Sequence, residues 1–147
     1  TYLAVALGCF AEPGGSIAGA IARSPRNRLK MAVVSSGGKE ALSQYRVLGT
    51  GSGCSLLQVR ILTGRTHQIR VHLASIRHPV LGDPLYGGRP ARFPFLPSRQ
   101  LLHAWKLSFP HPATGITLCC TAPLPEDFRQ ALLTLGLPCP DAELPAF

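Results

Sequence analysis

The stretch LTGRTHQIRVHLA, residues 62–74, carries the residue types best suited to gripping an anion. Gly64 permits a tight corner where a strand gives way to a helix, and Arg65 stands directly on that corner. At a helix start the first N–H groups have no carbonyl partner and the dipole is positive. Together with the Arg65 guanidinium, and with His67 and Arg70 a turn further on, they could hold a phosphate or a carboxylate. The competing reading is that Arg65 and Arg70 pair with acidic groups of the domain itself. His67, His72 and His103 have the spacing of no metal-ligand set and read as hydrogen-bonded structural residues. The five cysteines, at 9, 54, 119, 120 and 139, include no C-x-x-C pair, so they read as reduced, partly buried thiols rather than a metal site or disulfide scaffold.

The elements that must position this corner follow from periodicity and breakers. Ile69, Leu73 and Ile76 recur at helical spacing, which predicts a helix over 66–76 with Thr66 as N-cap and with His67, Arg70 and Arg77 on the opposite face. Pro79 forbids its continuation, and Gly82, Asp83 and Pro84 make a turn. Residues 2–8 read as a strand stopped by the turn at Pro13, Gly14 and Gly15, and 16–22 as a second short strand leading to a basic loop with Arg23, Arg26, Arg28 and Lys30. Strands over 40–48 and 54–62 form a hairpin around a glycine-rich turn, Gly49 to Gly53. Residues 87–100 read as a mobile surface loop, 101–109 and 116–122 as strands, and 126–135 as a closing helix whose first turn holds Glu126 and Asp127. The tail, 138–147, reads as proline-rich and loose. The sum is an α+β domain, a mainly antiparallel mixed sheet with flanking helices.

At 147 residues the chain fits one domain. No apolar run is long enough to span a bilayer, and the apolar opening, residues 1–7, has no basic leader or cleavage site, so it reads as a strand and not as a signal. Charge is unevenly placed. Residues 1–107 hold fourteen lysines and arginines against three acids, a net +11, while 108–147 hold one against four, a net −3. A field of that kind favours a polyanion, most commonly nucleic acid.

GRTHQIRVH at 64–72 followed by HPVLGDPLYG at 78–87 resembles the signature of RluA-type RNA pseudouridine synthases. Other pieces fall in that family's order: TYLAVALG at 1–8 is similar to its tyrosine-bearing strand, RLKMAV at 28–33 to its basic segment, LLHAWKLSFPHPATG at 101–115 to its later strand, and APLPEDF at 122–128 to the start of its last helix. The resemblance implies that residues 1–137 are the C-terminal portion of a pseudouridine synthase catalytic domain that isomerises a uridine in ribosomal or transfer RNA. The base is flipped into a pocket, its glycosidic bond is cut, and it is rejoined through carbon. The family uses neither metal nor cofactor. Tyr2 would pack against the target base and Arg65 would pair with the catalytic aspartate. Leu102, or Leu101 as the alternative, would be the pocket leucine. Lys30, Arg70 and the arginines of the 87–100 loop would bind backbone phosphates, with His67 beside them.

The family's aspartate sits in a His-Arg-Leu-Asp segment upstream of the tyrosine strand, and these 147 residues contain no such segment. Of Asp83, Asp127 and Asp141, none reads as the nucleophile, and Asp83 reads as a turn or cap residue. With Tyr2 at the second residue, the chain reads as cut at its N-terminus and, taken alone, inactive. The competing expectations are a non-catalytic RNA-binding module that kept the fold, and a basic domain that binds an acidic protein or small anion. A monomer resident in the cytoplasm, with no membrane partner, is the default.

Overall fold

The computed structural model describes residues 1–91, 93, 95–140, 144 and 147. Its centre is a five-stranded sheet built from β1 (Tyr2–Leu7), β2 (Gly14–Ala18), β5 (Leu42–Gly51), β6 (Cys54–Ile61) and β7 (Leu102–Ala104), in the order β2-β5-β6-β1-β7. Every pairing in it is antiparallel. Two ribbons flank it: β3 (Ile21–Arg23) with β4 (Met31–Val33), and β8 (Lys106–Pro110) with β9 (Thr117–Thr121). The helices are α1 (Gln68–Ser75) and α2 (Glu126–Leu135).

Successive side chains of a strand point to opposite faces, and β1 and β6 use both. Leu3, Val5, Cys54 and Leu56 enter one apolar cluster with Phe128, Ala131, Leu132 and Leu135 of α2. Ala4, Ala6, Leu57 and Val59 enter a second with Ile69 and Leu73 of α1. This burial on both faces leaves the first six residues of β6 buried, Ser55 and Gln58 among them. Each fully buried leucine or phenylalanine contributes about 1.5–3 kcal/mol, enough for these two clusters to hold both helices on the sheet.

The β5–β6 hairpin turns more tightly than its glycines suggest. Gly51 pairs with Cys54, so the turn is only Ser52 and Gly53, with φ 47° and 74° as a two-residue turn of this hand needs. Gly49 and Gly51 lie within the strand, beside a register shift between Val47 and Gly49. A Cβ on Gly51 would fall 2.3 Å from the Leu135 carbonyl, so the end of α2 can cross there only over glycine.

Other expectations change in detail. The strand foreseen over 101–109 breaks at Trp105, which is buried and whose backbone N–H, like that of Lys106, donates to the Thr1 carbonyl. β4 was hidden in the basic stretch because three residues carry no visible alternation. The described residues of 87–100 form no helix or strand, yet Phe93 and Phe95 pack against the α2-side cluster and the Gly82 N–H reaches the Gly88 carbonyl at 2.7 Å. Arg92 and Pro94 lie outside the described residues. The described part of the tail meets the body: Leu144 packs against the α2-side cluster and Phe147 lies under the Arg46 guanidinium. Only Cys54 of the cysteines is buried, which pushes its thiol up to about 11. No helix among the described residues is long and apolar enough to cross a membrane.

Candidate active site

β6 ends at Ile61, and the corner that follows is organised by one buried carboxamide. Gln68 Oε1 accepts the Arg65 backbone N–H at 3.0 Å and the Thr63 hydroxyl at 2.8 Å. Its Nε2 donates to the Leu42 carbonyl at 3.0 Å and to Ser43 Oγ at 3.1 Å. All four bonding positions of the amide are filled while only 3% of the residue is exposed. The Leu42 N–H in turn donates to Thr63 Oγ1 at 3.0 Å. This network corrects two expectations. Thr66 is exposed and does not cap α1; the capping position is His67, at φ 55°. The N–H groups of Arg65 and Gln68 are both taken, by Gln68 Oε1 and the Arg65 carbonyl, so they are not free for an anion.

The Arg65 side chain is held by a single contact, Nε donating to the Glu40 carbonyl at 2.9 Å. Its two terminal nitrogens have no protein partner among the described residues. Arg65 borders a hollow of about 310 Å³ shared with Arg23, Lys39 and Thr66.

Arg70 departs from the expected phosphate-binding role. Its Nε and Nη2 donate to the two carboxylate oxygens of Asp83 at 2.7 and 2.8 Å, and only 8% of the residue is exposed. A guanidinium so placed braces the fold, as the competing reading of the sequence had it. Burial pushes the Asp83 carboxyl up, but the Arg70 bonds and the N–H groups of Leu85 and Tyr86 outweigh it and hold the group below the usual aspartate range. Those two N–H bonds are the turn-capping role foreseen for Asp83. The Tyr86 ring lies 5.1 Å from the Arg70 guanidinium, and its hydroxyl accepts the Met31 N–H at 2.8 Å and bonds His67 Nδ1 at 2.9 Å. Tyr86 thereby ties β4 to the start of α1. Partial burial, then the neighbouring Arg70 charge, pushes the His67 pKa down and favours the neutral ring. His72 is likewise structural, bonded to Ser43 Oγ at 2.9 Å and to the Gly19 carbonyl at 3.1 Å, whereas His103 Nε2 is buried without a hydrogen-bond partner among the described residues.

Tyr2 and Leu102 share the α1-side cluster. Tyr2 pairs with Val59, two residues before β6 ends, while Arg65 stands four residues past that end. Both therefore belong to the same end of the sheet. Tyr2 borders its own hollow of about 230 Å³ with Trp105, Leu107 and Cys120, which shares no residue with the one beside Arg65. Lys30 closes a turn through backbone bonds to Ser24 and Asn27 just before β4. Of the loop arginines, Arg99 is engaged bidentately by Asp127 at 2.6 and 2.8 Å, so it too braces the fold. Sequence reasoning missed Gln68 and Tyr86; the only available signal was that each lies inside the quoted motifs.

Neither described aspartate faces Arg65: Asp83 holds Arg70 and Asp127 holds Arg99. Asp141 lies outside the described residues.

The family model described as RNA pseudouridylate synthase matches residues 1–75, and the chain belongs to that family. It is 44% identical over 146 residues to the ribosomal large subunit pseudouridine synthase D of Neisseria meningitidis, covering 92% of this chain and 38% of the relative. It is 47% identical over 134 residues to an uncharacterized RNA pseudouridine synthase of Chloroflexus aurantiacus, covering 91% and 41%. The structure of human RNA pseudouridylate synthase domain containing 1 superposes with a TM-score of 0.71 at 31% identity, covering 95% of this chain and 66% of the other. The chain thus spans less than half the length of these two bacterial relatives.

Proposed function

We propose that these residues form the base-packing and acid-orienting part of an RNA pseudouridine synthase acting on a uridine in ribosomal RNA, with transfer RNA the second candidate. The observation that carries this reading is Arg65, fixed at its backbone by Gln68 while its terminal nitrogens have no protein partner among the described residues. A carboxylate brought against them would stay ionised and aimed, as a nucleophile needs. Tyr2 offers a ring face for a flipped base, and stacking of that kind is worth about 1–3 kcal/mol. Leu102 completes the apolar wall beside it, and Lys30 contributes a phosphate contact. In this reading the acid comes from polypeptide outside these 147 residues, and the active protein is a cytoplasmic monomer.

A second reading, a non-catalytic RNA-binding module, draws support from the engagement of Asp83 and Asp127 elsewhere. A pseudouridylation assay on a ribosomal RNA fragment separates the two. It compares the 147-residue chain with a longer one carrying a His-Arg-Leu-Asp segment upstream. Turnover by the longer chain alone is expected. Equal turnover by both contradicts an acid supplied from outside, and turnover by neither favours the module.

A further inference from the structure

The hollow beside Arg65 carries two further cations, Arg23 and Lys39, that the proposed chemistry does not use. Arg23, Lys39 and Arg65 border it, Ile21 and Met31 form part of its lining, and no carboxylate among the described residues lines it. Its volume of about 310 Å³ exceeds what a single phosphate group fills. The walls are built rather than draped. β3 is clamped on one side by β4 and on the other by reciprocal backbone bonds between Ile21 and Lys39, at 2.8 and 2.9 Å. β4 is pinned through the Met31 N–H to Tyr86, whose own position is set by Asp83 and His67. Ile21 and Met31 pack with Val71 of α1, so ribbon and helix share one small core. The mouth is open, because a Cβ built on Gly37 or Gly64 meets nothing within 4 Å.

Three cations around a partly apolar lining attract an anion more strongly than the same charges dispersed in water. Arg65 can serve this hollow and an acid together, since Nε alone is engaged and four N–H donors remain on its two terminal nitrogens. Arg23 keeps its ribbon turn closed through the Arg28 carbonyl and retains the rest of its fork. The polyanion favoured by the +11 balance of residues 1–107 is RNA, and a strand delivering a uridine to the Arg65 corner must carry its backbone past this mouth.

We propose that Arg23, Lys39 and Arg65 form a seat for a backbone phosphodiester of the RNA strand next to the target uridine. The seat rests on the reading of the chain as part of an RNA-acting enzyme. It differs from the contacts expected of Lys30 and Arg70.

The test uses the 147-residue chain and a labelled ten-nucleotide oligouridylate, with the dissociation constant measured from 50 to 200 mM salt. Arg23→Gln with Lys39→Gln is expected to weaken binding about tenfold and to flatten the slope of log K against log salt by about 0.7, the loss of one single-strand phosphate contact. Lys39→Gln alone, which leaves the backbone bridge to Ile21 intact, is expected to weaken binding about threefold; it keeps the test decisive if Arg23→Gln loosens the ribbon. Arg129→Gln on exposed α2 is the control, expected within twofold of the parent. If the parent binds and both Gln variants match it in affinity and slope, the seat is wrong while the proposed function stands. If the parent binds no RNA at 50 mM salt, both fall. If polyaspartate binds as tightly and shows the same losses, the seat is not for a phosphodiester.

Discussion

Gln68 Oε1 and the Arg65 amide nitrogen lie 3.0 Å apart across one turn of chain, so the residue that opens α1 also sets the backbone of the residue that faces solvent at the corner. Replacing Gln68 by Met preserves much of its volume but leaves the Arg65 N–H and the Thr63 hydroxyl proton without an acceptor, while the Leu42 carbonyl keeps the Leu62 N–H and Ser43 keeps His72. Buried polar groups left unsatisfied cost about 1–3 kcal/mol each when they cannot find water. A net loss of about 2–4 kcal/mol is expected in urea denaturation, with the slope unchanged. A loss under about 0.5 kcal/mol would show that the corner does not depend on this amide.

Arg70 and Asp83 should behave as a coupled buried pair. Arg70→Met alone is expected to cost about 3–5 kcal/mol, because it strands a buried carboxylate. Adding Asp83→Asn should recover part of that loss, and a double-mutant cycle that sums to additivity would contradict the pairing. The pH dependence has a definite sign. The Asp83 carboxyl is held below its unfolded value, so its contribution is complete above the ordinary aspartate range and is lost as pH falls through the lower, folded value. Acid unfolding of the parent should therefore flatten in Asp83→Asn within that window.

Tyr86→Phe removes the acceptor of the Met31 N–H and the partner of His67. A loss of about 1–2 kcal/mol is expected, together with faster hydrogen exchange in β3 and β4 than in β6. Unchanged exchange in the ribbon would mean that Tyr86 does not pin it.

His67 titrates below the ordinary histidine value in the folded chain. Its neutral ring is favoured by the fold, so its contribution is complete above about pH 6.5 and declines as pH falls from there to the folded value. A proton-detected titration of the ring should give a midpoint below that of unfolded peptide. A midpoint at or above it would contradict the environment described around Arg70 and Tyr86.

Much of this architecture was legible in the residues. The antiparallel hairpin, the opening strand and the closing helix follow from alternation, glycine placement and Glu126–Asp127, and the helix bounds over 126–135 match. What escaped was decided by tertiary contact. α1 starts at Gln68 because a side chain two positions past Thr66 reaches back to satisfy the corner, which propensity cannot reveal. Gly51 looked like turn because nothing in the sequence announces that α2 ends against it. Arg70 looked like a ligand because Asp83, thirteen residues on, becomes its partner only when the 78–87 turn folds over α1. Arg65 was legible as a mount because a glycine corner carries its own local logic. Its distance from Tyr2 was not, since it depends on strand pairing.

The most direct test of the account replaces Arg65 in a longer chain that turns over a ribosomal RNA fragment, and follows both stability and single-turnover pseudouridine formation. Arg65→Ala is expected to change stability by less than about 1 kcal/mol, since one exposed bond to the Glu40 carbonyl is lost, while turnover falls by about a hundredfold or more. Arg65→Lys should restore little, because an ammonium cannot reproduce the planar fork. Turnover within about threefold of the parent in Arg65→Ala, with the fold intact, would contradict the claim that this guanidinium orients the reacting acid.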